Sequence, residues 1–412
     1  MNYFPLIVLF GVFGLVAVRQ VGRIRLRIWQ VTLAGALVLL FTRNIPLGNA
    51  IRSVNLDVIF FLFGMFVLGE ALVKSGYLYH LSSGFFKGAG NTGGLVLRIL
   101  LVMGMLSAFL MNDTVAIIGT PLVLFLGEKH DIPPKLLLLS LCFAATIGSV
   151  VSPIGNPQNL LIATVGNVSG PILTFFKYLA LPTAVNLLLA YFMLKLYFRE
   201  DFNKKLIEKP IGEIKDRKLA RLSMISLILL VVLVAAKALT ALLTRLDFSF
   251  TYVSVIAALP ILLFSPQRFR ILRSINWETL IFFMAIFIMM GSVWDSGVLQ
   301  YYVARPGMNL SSVSLILLLS VSLSQLLSNV PFVALYLPVA ERVGLTTKGM
   351  MALAAGSTIA GNLLIFGAAS NVIIIQMAER KGRTLGFLEF ASIGIPLTVL
   401  NLIVYRVFLS LM

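Results

Sequence analysis

The chain has 412 residues, of which 59% are hydrophobic and 12% charged, and its mean hydropathy is +0.99. A water-soluble domain of this composition would expose large apolar patches, so the composition predicts an integral membrane protein. The net charge of +17 does not indicate nucleic-acid binding, because Lys and Arg cluster in short connectors, as the positive-inside rule predicts.

Apolar runs predict ten membrane crossings, because each is near the roughly 20 residues that a helix needs to span hydrocarbon. They lack the alternating pattern of barrel strands, so an all-α polytopic protein is expected. The predicted crossings lie near residues 3–18, 28–42, 55–78, 135–167, 172–198, 219–244, 250–266, 276–299, 347–378 and 385–411.

Two further apolar regions, 94–127 and 310–342, are interrupted near their middles by polar residues. Each is either a re-entrant hairpin or a pair of short crossings. The interrupting residues are Asn112, Asp113 and Thr114 in the first region and Ser328, Asn329 and Pro331 in the second.

Charge placement favours two hairpins. If both regions turn back, the basic connectors near residues 19–27, 199–221, 268–273 and 380–383 all fall on one side of the membrane. The positive-inside rule makes that side cytoplasmic. We therefore expect a multi-pass protein of the cell (inner) membrane with both termini outside and a cytoplasmic linker at 199–218.

The two halves of the chain align without gaps in three blocks. The first pairs Asn55 with Asn276 and Ser75-Gly76 with Ser296-Gly297. The second pairs Asn112 with Asn329, and the third runs from Thr146 and Thr358 to Asn159 and Asn371. The shared order and the matched polar residues indicate a duplication.

Five crossings in each half is an odd number, so the second copy enters the membrane inverted. We therefore predict a first repeat at 1–198 and a second at 219–412, each with five transmembrane helices and one hairpin. This is the plan of secondary transporters, whose midplane sites are built from discontinuous helices. The predicted broken helices are 135–167 and 347–378.

The stretch SPIGNPQN, residues 152–159, is the predicted centre of the first broken helix. Its prolines cannot donate backbone hydrogen bonds, and irregular backbone at membrane depth is tolerated where it lines protein or a wet cavity. FGAASN, residues 366–371, is its counterpart.

Free N–H groups at the breaks and hairpin tips favour an anion, and freed carbonyls suit Na⁺. The candidate substrate- and ion-binding residues are mostly neutral hydrogen-bonding groups: Asn112, Asp113, Thr114, Ser152, Gly155, Asn156, Gln158, Asn159, Ser328, Asn329, Gly367, Ser370 and Asn371. A Na⁺ site is expected near Asn112, Asp113 and Asn159.

Asp113 is the one carboxylate at a predicted break, and Val330 stands at the equivalent position. A carboxylate at membrane depth is costly and indicates function, so Asp113 is a candidate cation ligand or proton carrier. The alternative is a helix N-cap that satisfies N–H groups at the hairpin tip. The sequence has no His-Glu-x-x-His, phosphate-loop or nucleophile-elbow motif, which argues against an enzyme. We expect no cofactor, only H⁺ or Na⁺ as the coupling ion.

At these motifs the chain resembles the ion transporter superfamily, in particular the arsenite/antimonite efflux permeases. The motifs are MNDT at 111–114, SNVP at 328–331, GNPQN at 155–159 and GAASN at 367–371. The related dicarboxylate and sulfate symporters have Ser-Asn-Thr at both tips, and both tips here depart from that pattern. The resemblance implies a homodimer.

Three functions remain open from the sequence. The first is an ion-coupled carrier of a small inorganic anion or oxyanion, with arsenite-like efflux in exchange for protons ahead of sodium-coupled anion or dicarboxylate symport. The second is a Na⁺/H⁺ antiporter and the third a passive channel, which the inverted repeat disfavours. Expected partners are the bilayer and a second copy, not nucleic acid, and a partner ATPase stays open.

Overall fold

A computed structural model of the chain describes residues 2–18, 20–21, 24–25, 28–77, 89–206, 216–243, 249–298, 311–327, 329–379, 381–383 and 385–412. These residues form eighteen helices, a short 3-10 turn and one antiparallel pair of two-residue strands, Gln20–Val21 with Ile24–Arg25. The predicted all-α class is confirmed, because nearly all regular structure in the described ranges is helical.

Nine helices precede the predicted linker within the described ranges. They are α1 (Phe4–Val18), α2 (Ile28–Phe41), α3 (Leu47–Ser53), α4 (Leu56–Ser75), α5 (Thr92–Leu110), α6 (Asn112–His130), α7 (Pro134–Ser149), α8 (Pro157–Thr164) and α9 (Pro171–Tyr197).

The second series follows the same order. It comprises α10 (Arg217–Leu243), α11 (Phe250–Phe264), α12 (Arg268–Ser274), α13 (Trp277–Asp295), α14 (Val313–Leu327), α15 (Asn329–Arg342), α16 (Thr347–Leu363), the 3-10 turn Ile365–Gly367, α17 (Ala369–Glu379) and α18 (Phe387–Leu411). Both series contain a seven-residue helix, then a long crossing, then a helical pair, then a broken helix.

Matching caps mark the same helix in both halves. Asn55 Oδ1 accepts from Val58 N at the start of α4, and Asn276 Oδ1 accepts from Thr279 N at the start of α13, both at 3.1 Å. Gly76 and Gly297, just beyond these helices, have φ of 72° and 73°. Glycine is favoured in this left-handed region because it has no Cβ. The sequence alignment therefore pairs residues with the same structural role.

The first helical pair folds back on itself at Met111. Helix α5 runs in the same direction as α7. Gly104 in the middle of α5 packs against Gly148, and Asn112, just beyond the end of α5, donates its backbone N–H to Gly155 O at 2.9 Å, beyond the end of α7. Contacts of α6 run the opposite way, with Gly119 against Leu141 and, further along α6, Gly127 against Leu137. Since α5 and α6 run in opposite directions along α7, the two helices form a helical hairpin, as both a re-entrant segment and a pair of short crossings require.

Six helices are long and apolar enough to cross a membrane, within the part of the chain that the structure describes. They are Leu56–Ser75, Thr92–Leu110, Pro171–Tyr197, Arg217–Lys237, Trp277–Asp295 and Phe387–Leu411. Thr92–Leu110 is α5, the first helix of the hairpin, so by length and composition it could also cross the membrane, and its re-entrant course stays a prediction. The other five match predicted crossings.

The remaining predicted crossings are shorter helices or are broken. Helices α1, α2 and α11 have 15, 14 and 15 residues, below the roughly 20 needed for a full span. The crossings expected at 135–167 and 347–378 each consist of a long helix, an irregular break and a short second helix. These two breaks place hydrogen-bonding backbone inside the protein.

Candidate functional site

The first break separates α7 from α8 over residues 150–156. Pro157 stands in the first turn of α8, where its missing N–H costs nothing. Asn156 is the N-cap, and its Oδ1 accepts from Asn159 N at 2.8 Å. Proline and a strong N-cap therefore explain why a new helix begins here inside a buried apolar region.

Asn159 closes the end of the preceding helix. Its Nδ2 donates to the carbonyl oxygens of Ser149, Val150 and Ser152 at 3.1, 3.3 and 3.0 Å. The carbonyls of Ser149 and Val150 have lost their helical partners, whereas that of Ser152 also accepts from Gly155 N at 3.2 Å. A buried unpaired backbone group is costly. Asn159 thus supplies hydrogen bonds that the break itself removes.

The second break repeats this bond. Asn371 Nδ2 donates to Gly361 O at 2.7 Å, and in both halves the acceptor lies ten residues before the asparagine. Gly155 and Gly367 also correspond: an added Cβ would lie 2.2 Å from Ser149 O and 2.6 Å from Ala360 O, respectively. Both positions therefore require glycine for close backbone approach.

Thr358 joins the two halves, and it was not among the predicted site residues. From α16 its Oγ1 donates to Asn159 Oδ1 at 3.2 Å and accepts from Asn156 Nδ2 at 3.1 Å. Gln158 Nε2 is 3.4 Å away. The signal was available, because Thr358 and Thr146 open the third aligned block.

The second break has no counterpart of this network. Thr146 Oγ1 and Asn371 Oδ1 are the repeat equivalents of the Thr358–Asn159 pair, and both are buried without a hydrogen-bond partner in the described residues. Ser370 Oγ is likewise buried without a hydrogen-bond partner among the described residues. This side of the site therefore retains hydrogen-bonding capacity.

The tip of the first hairpin lies directly on the first break. Asn112 N donates to Gly155 O at 2.9 Å, and Asn112 Oδ1 accepts from Asp113 N at 2.9 Å. Met111, at the tip, has φ 70° and ψ 146°. That conformation is nearly confined to glycine and costs on the order of 1–3 kcal/mol for other residues. The surrounding contacts hold the tip in this strained geometry.

Asp113 and Thr114 are both buried in the first turn of α6. The ion pairs found among the described residues do not include Asp113. Thr114 packs against Gly69, where an added Cβ would lie 2.7 Å from its Cγ2, and its Oγ1 has no described partner. A carboxyl and a hydroxyl group thus stand together at a helix N-terminus, where partial positive charge favours an anion.

The second tip has Val330 where the first has the carboxyl group of Asp113. Asn329 is buried with its Oδ1 unpaired among the described residues, and Val330 is buried beside it. Ser328 lies outside the described residues. On the arm before this tip, Gln325 Nε2 donates to Ala360 O at 2.7 Å, and Gly367 packs against the same amide group. Gln325 is a second residue that sequence reasoning missed.

The four termini converge through crossed packing. Helix α6 packs against α17, whereas α15 packs against α8, so each hairpin contacts the short helix of the other half. Helix α16 also contacts both α7 and α8. The structure therefore gathers the described candidate residues around two adjoining breaks, and their roles in binding stay a prediction.

The chemistry of the site is that of neutral amides and hydroxyls with one carboxyl group. Within the described ranges, no group of three or more His, Cys, Asp or Glu side chains is placed to hold a metal ion. A cation here would take amide, hydroxyl and carbonyl oxygens together with Asp113. Na⁺ at this place stays a proposal.

Paired hairpins, paired broken helices and a buried polar centre in an all-helical membrane protein define a secondary transporter. The chain belongs to the CitMHS family of citrate transporters, whose family model matches residues 12–347.

Relatives over most of the chain are transporters by name. Uncharacterized transporter Rv2684 of Mycobacterium tuberculosis is 27% identical over 381 residues, which cover 87% of this chain and 86% of the relative. Silicon efflux transporter LSI3 of Oryza sativa subsp. japonica is 26% identical over 470 residues, which cover 95% and 94%. The family and the relatives thus indicate transport and not an enzymatic reaction.

A solved structure shares the fold. The crystal structure of the YdaH transporter of Alcanivorax borkumensis, described as having an unusual topology, superposes with a TM-score of 0.58. The match covers 99% of this chain and 96% of the other at 15% sequence identity. At that identity the likeness shows the fold, and the substrate must be argued from the site.

Proposed function

We propose that this protein exports a small inorganic hydroxy species, arsenite or antimonite in type, in exchange for protons. The observation that carries the proposal is the buried set of unpaired neutral groups at the breaks and tips. They are Thr114 Oγ1, Thr146 Oγ1, Asn329 Oδ1, Ser370 Oγ and Asn371 Oδ1.

A neutral polyhydroxy molecule suits these groups. Arsenite is mostly As(OH)₃ at neutral pH, so its hydroxyls both donate and accept hydrogen bonds. Asn329 Oδ1 and Asn371 Oδ1 accept, while the hydroxyls of Thr114 and Ser370 do either. A neutral substrate also avoids the large cost of moving a charge from water into a buried site. Small oxyanions such as selenite or sulfate would require additional positive charge.

Asp113 is the proposed proton carrier. Its carboxyl group is buried and stands at the N-terminus of α6, and its repeat equivalent Val330 cannot titrate. Protonation on one side of the membrane removes a charge whose burial is costly, and release on the other side restores it. One proton would then cross in one direction for each substrate that leaves.

The relative named as a silicon efflux transporter supports this substrate class. Silicic acid, like arsenite, is a small neutral molecule that carries only hydroxyl groups at neutral pH. The likeness extends over 95% of this chain, so the relative carries the regions that form both breaks and both tips. A shared preference for neutral hydroxides is therefore a consistent interpretation.

Sodium-coupled uptake of a carboxylate is the second candidate, and the family description as citrate transporters favours it. Helix N-termini at the breaks would bind the carboxylates, and freed carbonyls would bind Na⁺. Both tips depart from Ser-Asn-Thr, however, and the described side chains that hydrogen-bond at the breaks include no Lys or Arg. Na⁺/H⁺ exchange at Asp113 is a further outcome that the same experiment detects.

The test is transport by purified protein in liposomes with imposed pH or sodium gradients. The panel consists of arsenite, antimonite, silicic acid, citrate, succinate and ²²Na⁺. We expect arsenite or antimonite flux that depends on a pH gradient and shows saturable counterflow. Citrate or succinate uptake that requires Na⁺ would overturn the proposal in favour of the second candidate, and Na⁺ flux without another substrate would indicate an antiporter.

We also propose the setting in which this cycle operates: a homodimer in the inner membrane, with both termini outside and the linker cytoplasmic. The basic connectors support the orientation. Crosslinking in native membranes and counting of subunits in nanodiscs would test the dimer. Copurification of an ATPase that stimulates efflux would revise the coupling, which is proposed here to use the ion gradient alone.

A further inference from the structure

The last helix of each half carries the same polar pair. Thr183 and Asn186 are three residues apart on α9, and Thr398 and Asn401 are three residues apart on α18. All four side chains are buried, three of them completely. An asparagine inside an apolar crossing helix requires a hydrogen-bond partner on a neighbouring helix, because lipid supplies none.

The two asparagines are each other's partners. Asn401 Nδ2 donates to Asn186 Oδ1 at 2.9 Å across the contact between α9 and α18. Residues at matching positions of two inverted repeats meet where the repeats' pseudo-two-fold axis passes. Beside this pair, the hydroxyl groups of Thr183 and Tyr405 are 2.9 Å apart.

The pair extends to the second break. Asn362 Nδ2 donates to Asn401 Oδ1 at 3.2 Å. Asn362 is the penultimate residue of α16. A continuous chain of side-chain amide groups thus runs from Asn186 on α9, through Asn401 on α18, to Asn362 at the end of α16. The neighbouring residue of α16, Gly361, accepts the hydrogen bond from Asn371.

Close backbone packing reinforces this link. An added Cβ at Gly394 of α18 would lie 2.2 Å from Asn362 O and 3.2 Å from Leu363 O. The last turn of α16 therefore rests directly on the backbone of α18, next to the Asn362–Asn401 hydrogen bond.

The first break lacks this link. Val150 occupies the position equivalent to Asn362 in the third aligned block, and its carbonyl accepts from Asn159. Thr358, Asn156 and Asn159 make side-chain hydrogen bonds at the first break. At the second break, the end of α16 is bonded to α18 through Asn362 and Asn401. The two breaks thus depend on different residues.

We propose that Asn401, together with Asn186 and Asn362, is a positioning residue of the transport site. The amide chain holds the end of α16 so that Asn371, through its bond to Gly361, keeps its unpaired Oδ1 within the site. Loss of the chain displaces the second break and leaves the first in place. Only the consequence for substrate affinity rests on the proposed function.

Hydrogen exchange of the full-length protein in nanodiscs tests the positioning without a substrate. In Asn401→Leu we expect amide exchange in residues 361–371 to accelerate at least several-fold, since a net amide hydrogen bond is worth up to about tenfold in an equilibrium. Exchange in 149–159 should match that of the parent protein. Thr398→Val is the matched control, because Thr398 Oγ1 donates only within its own helix, to Gly394 O at 2.8 Å.

Unchanged exchange at 361–371, or equal acceleration in both breaks, would overturn the proposal. The second result would mean that the asparagines merely hold the helices together. If Asn401→Leu does not fold, Asn362→Leu takes its place, since it removes the connection to the break and leaves the Asn186–Asn401 bond. The same two exchange outcomes decide the matter in that variant.

Transport of arsenite by Asn401→Asp gives an independent readout. The protonated acid keeps both bonds, because its O–H donates to Asn186 and its carbonyl accepts from Asn362. The ionised acid cannot donate. We expect the KM of this variant to be near the parent value at low pH and to rise about five- to tenfold with increasing pH, with kcat little changed.

A pH profile identical to that of the parent protein would contradict the positioning role. If the parent protein itself does not transport arsenite, the proposed substrate is wrong, while the exchange experiment still decides the role of Asn401. The two failures are therefore distinguishable.

Discussion

The two breaks share a backbone design and differ in what completes it. In the first, Asn156, Gln158 and Asn159 are all bonded to Thr358 from the other half. In the second, the equivalent partners Thr146 Oγ1 and Asn371 Oδ1 are both unpaired among the described residues. The same residue types at matching positions are thus paired in one break and unpaired in the other, so the packing around each break decides which is closed.

The hairpin tips differ in the same sense. Asp113 gives the first tip a titratable group beside the closed break, whereas Val330 leaves the second tip neutral beside the open one. We infer a division of labour in which Asp113 at the first tip handles the coupling ion, while the unpaired groups around the second break, together with Thr114 and Thr146, offer hydrogen bonds to the substrate.

The largest expected difference between the halves is their sidedness. Cysteines introduced at Lys129 and Lys348, in a background with Cys142 replaced, should be labelled from opposite faces of the membrane. Lys129 should react from the cytoplasm and Lys348 from outside, because inverted copies present equivalent ends to opposite faces. Labelling of both from one face would exclude the inverted arrangement.

Asp113→Asn should abolish gradient-driven accumulation. Asparagine keeps the size and much of the hydrogen-bonding capacity of the side chain and removes the proton-carrying group. Binding of substrate should persist, since the second half is intact, and counterflow without a gradient measures it. The structure places Asp113 in the first turn of α6 and not at its N-cap, which is Met111, so full coupled transport by this variant would leave Asp113 a purely structural role there.

Glu70→Gln and Asp295→Asn are the matched acid controls. The Glu70 carboxylate already pairs with Lys74 at 3.3 Å, and Asp295 accepts from Asn49 at 3.2 Å. Both carboxylates therefore have a side-chain partner, whereas the ion pairs among the described residues do not include Asp113. Coupled transport should survive in each of them.

Gly155→Ala and Gly367→Ala should both lose transport, by about tenfold or more, because each added methyl group meets a backbone oxygen that cannot move freely. The shorter contact, 2.2 Å at Gly155 against 2.6 Å at Gly367, predicts the larger loss in the first half. Gly90→Ala, with nothing within 4 Å, is the neutral control. Parent-like flux in both variants would show that close approach at the breaks is dispensable.

The smallest effects should separate binding from stability. Ser370→Ala removes an unpaired hydroxyl, so KM should rise several-fold with an unchanged unfolding temperature. Thr358→Val removes three hydrogen bonds of the closed break, so unfolding should become easier by about 1–3 kcal/mol while KM changes less. Thermal unfolding measures the stability of the two variants, and initial transport rates on the same preparations give their KM. The reverse pattern would assign substrate binding to the first break.

Several features of the fold were readable in the sequence because they are local. Proline in 152–159 interrupts a helix wherever it lies, and the hydrophobic runs predict crossings by length. Asn55 and Asn276 both cap helices, and Gly76 and Gly297 both end them, as their alignment suggested. The polar interruption at 112–114 likewise marked the place where α5 turns back into α6.

Partnership between side chains was decided only by tertiary structure. The sequence aligned Asn159 with Asn371 and Thr358 with Thr146. It could not show that Thr358 bonds Asn159 while Thr146 leaves Asn371 unpaired. Asn186 and Asn401 lie in separate apolar helices, and only the packing of those helices brings Asn401 Nδ2 to 2.9 Å from Asn186 Oδ1. A hydrogen bond depends on distance and angle within a few tenths of an ångström, and residues some two hundred positions apart reach that geometry only when both halves are folded against each other.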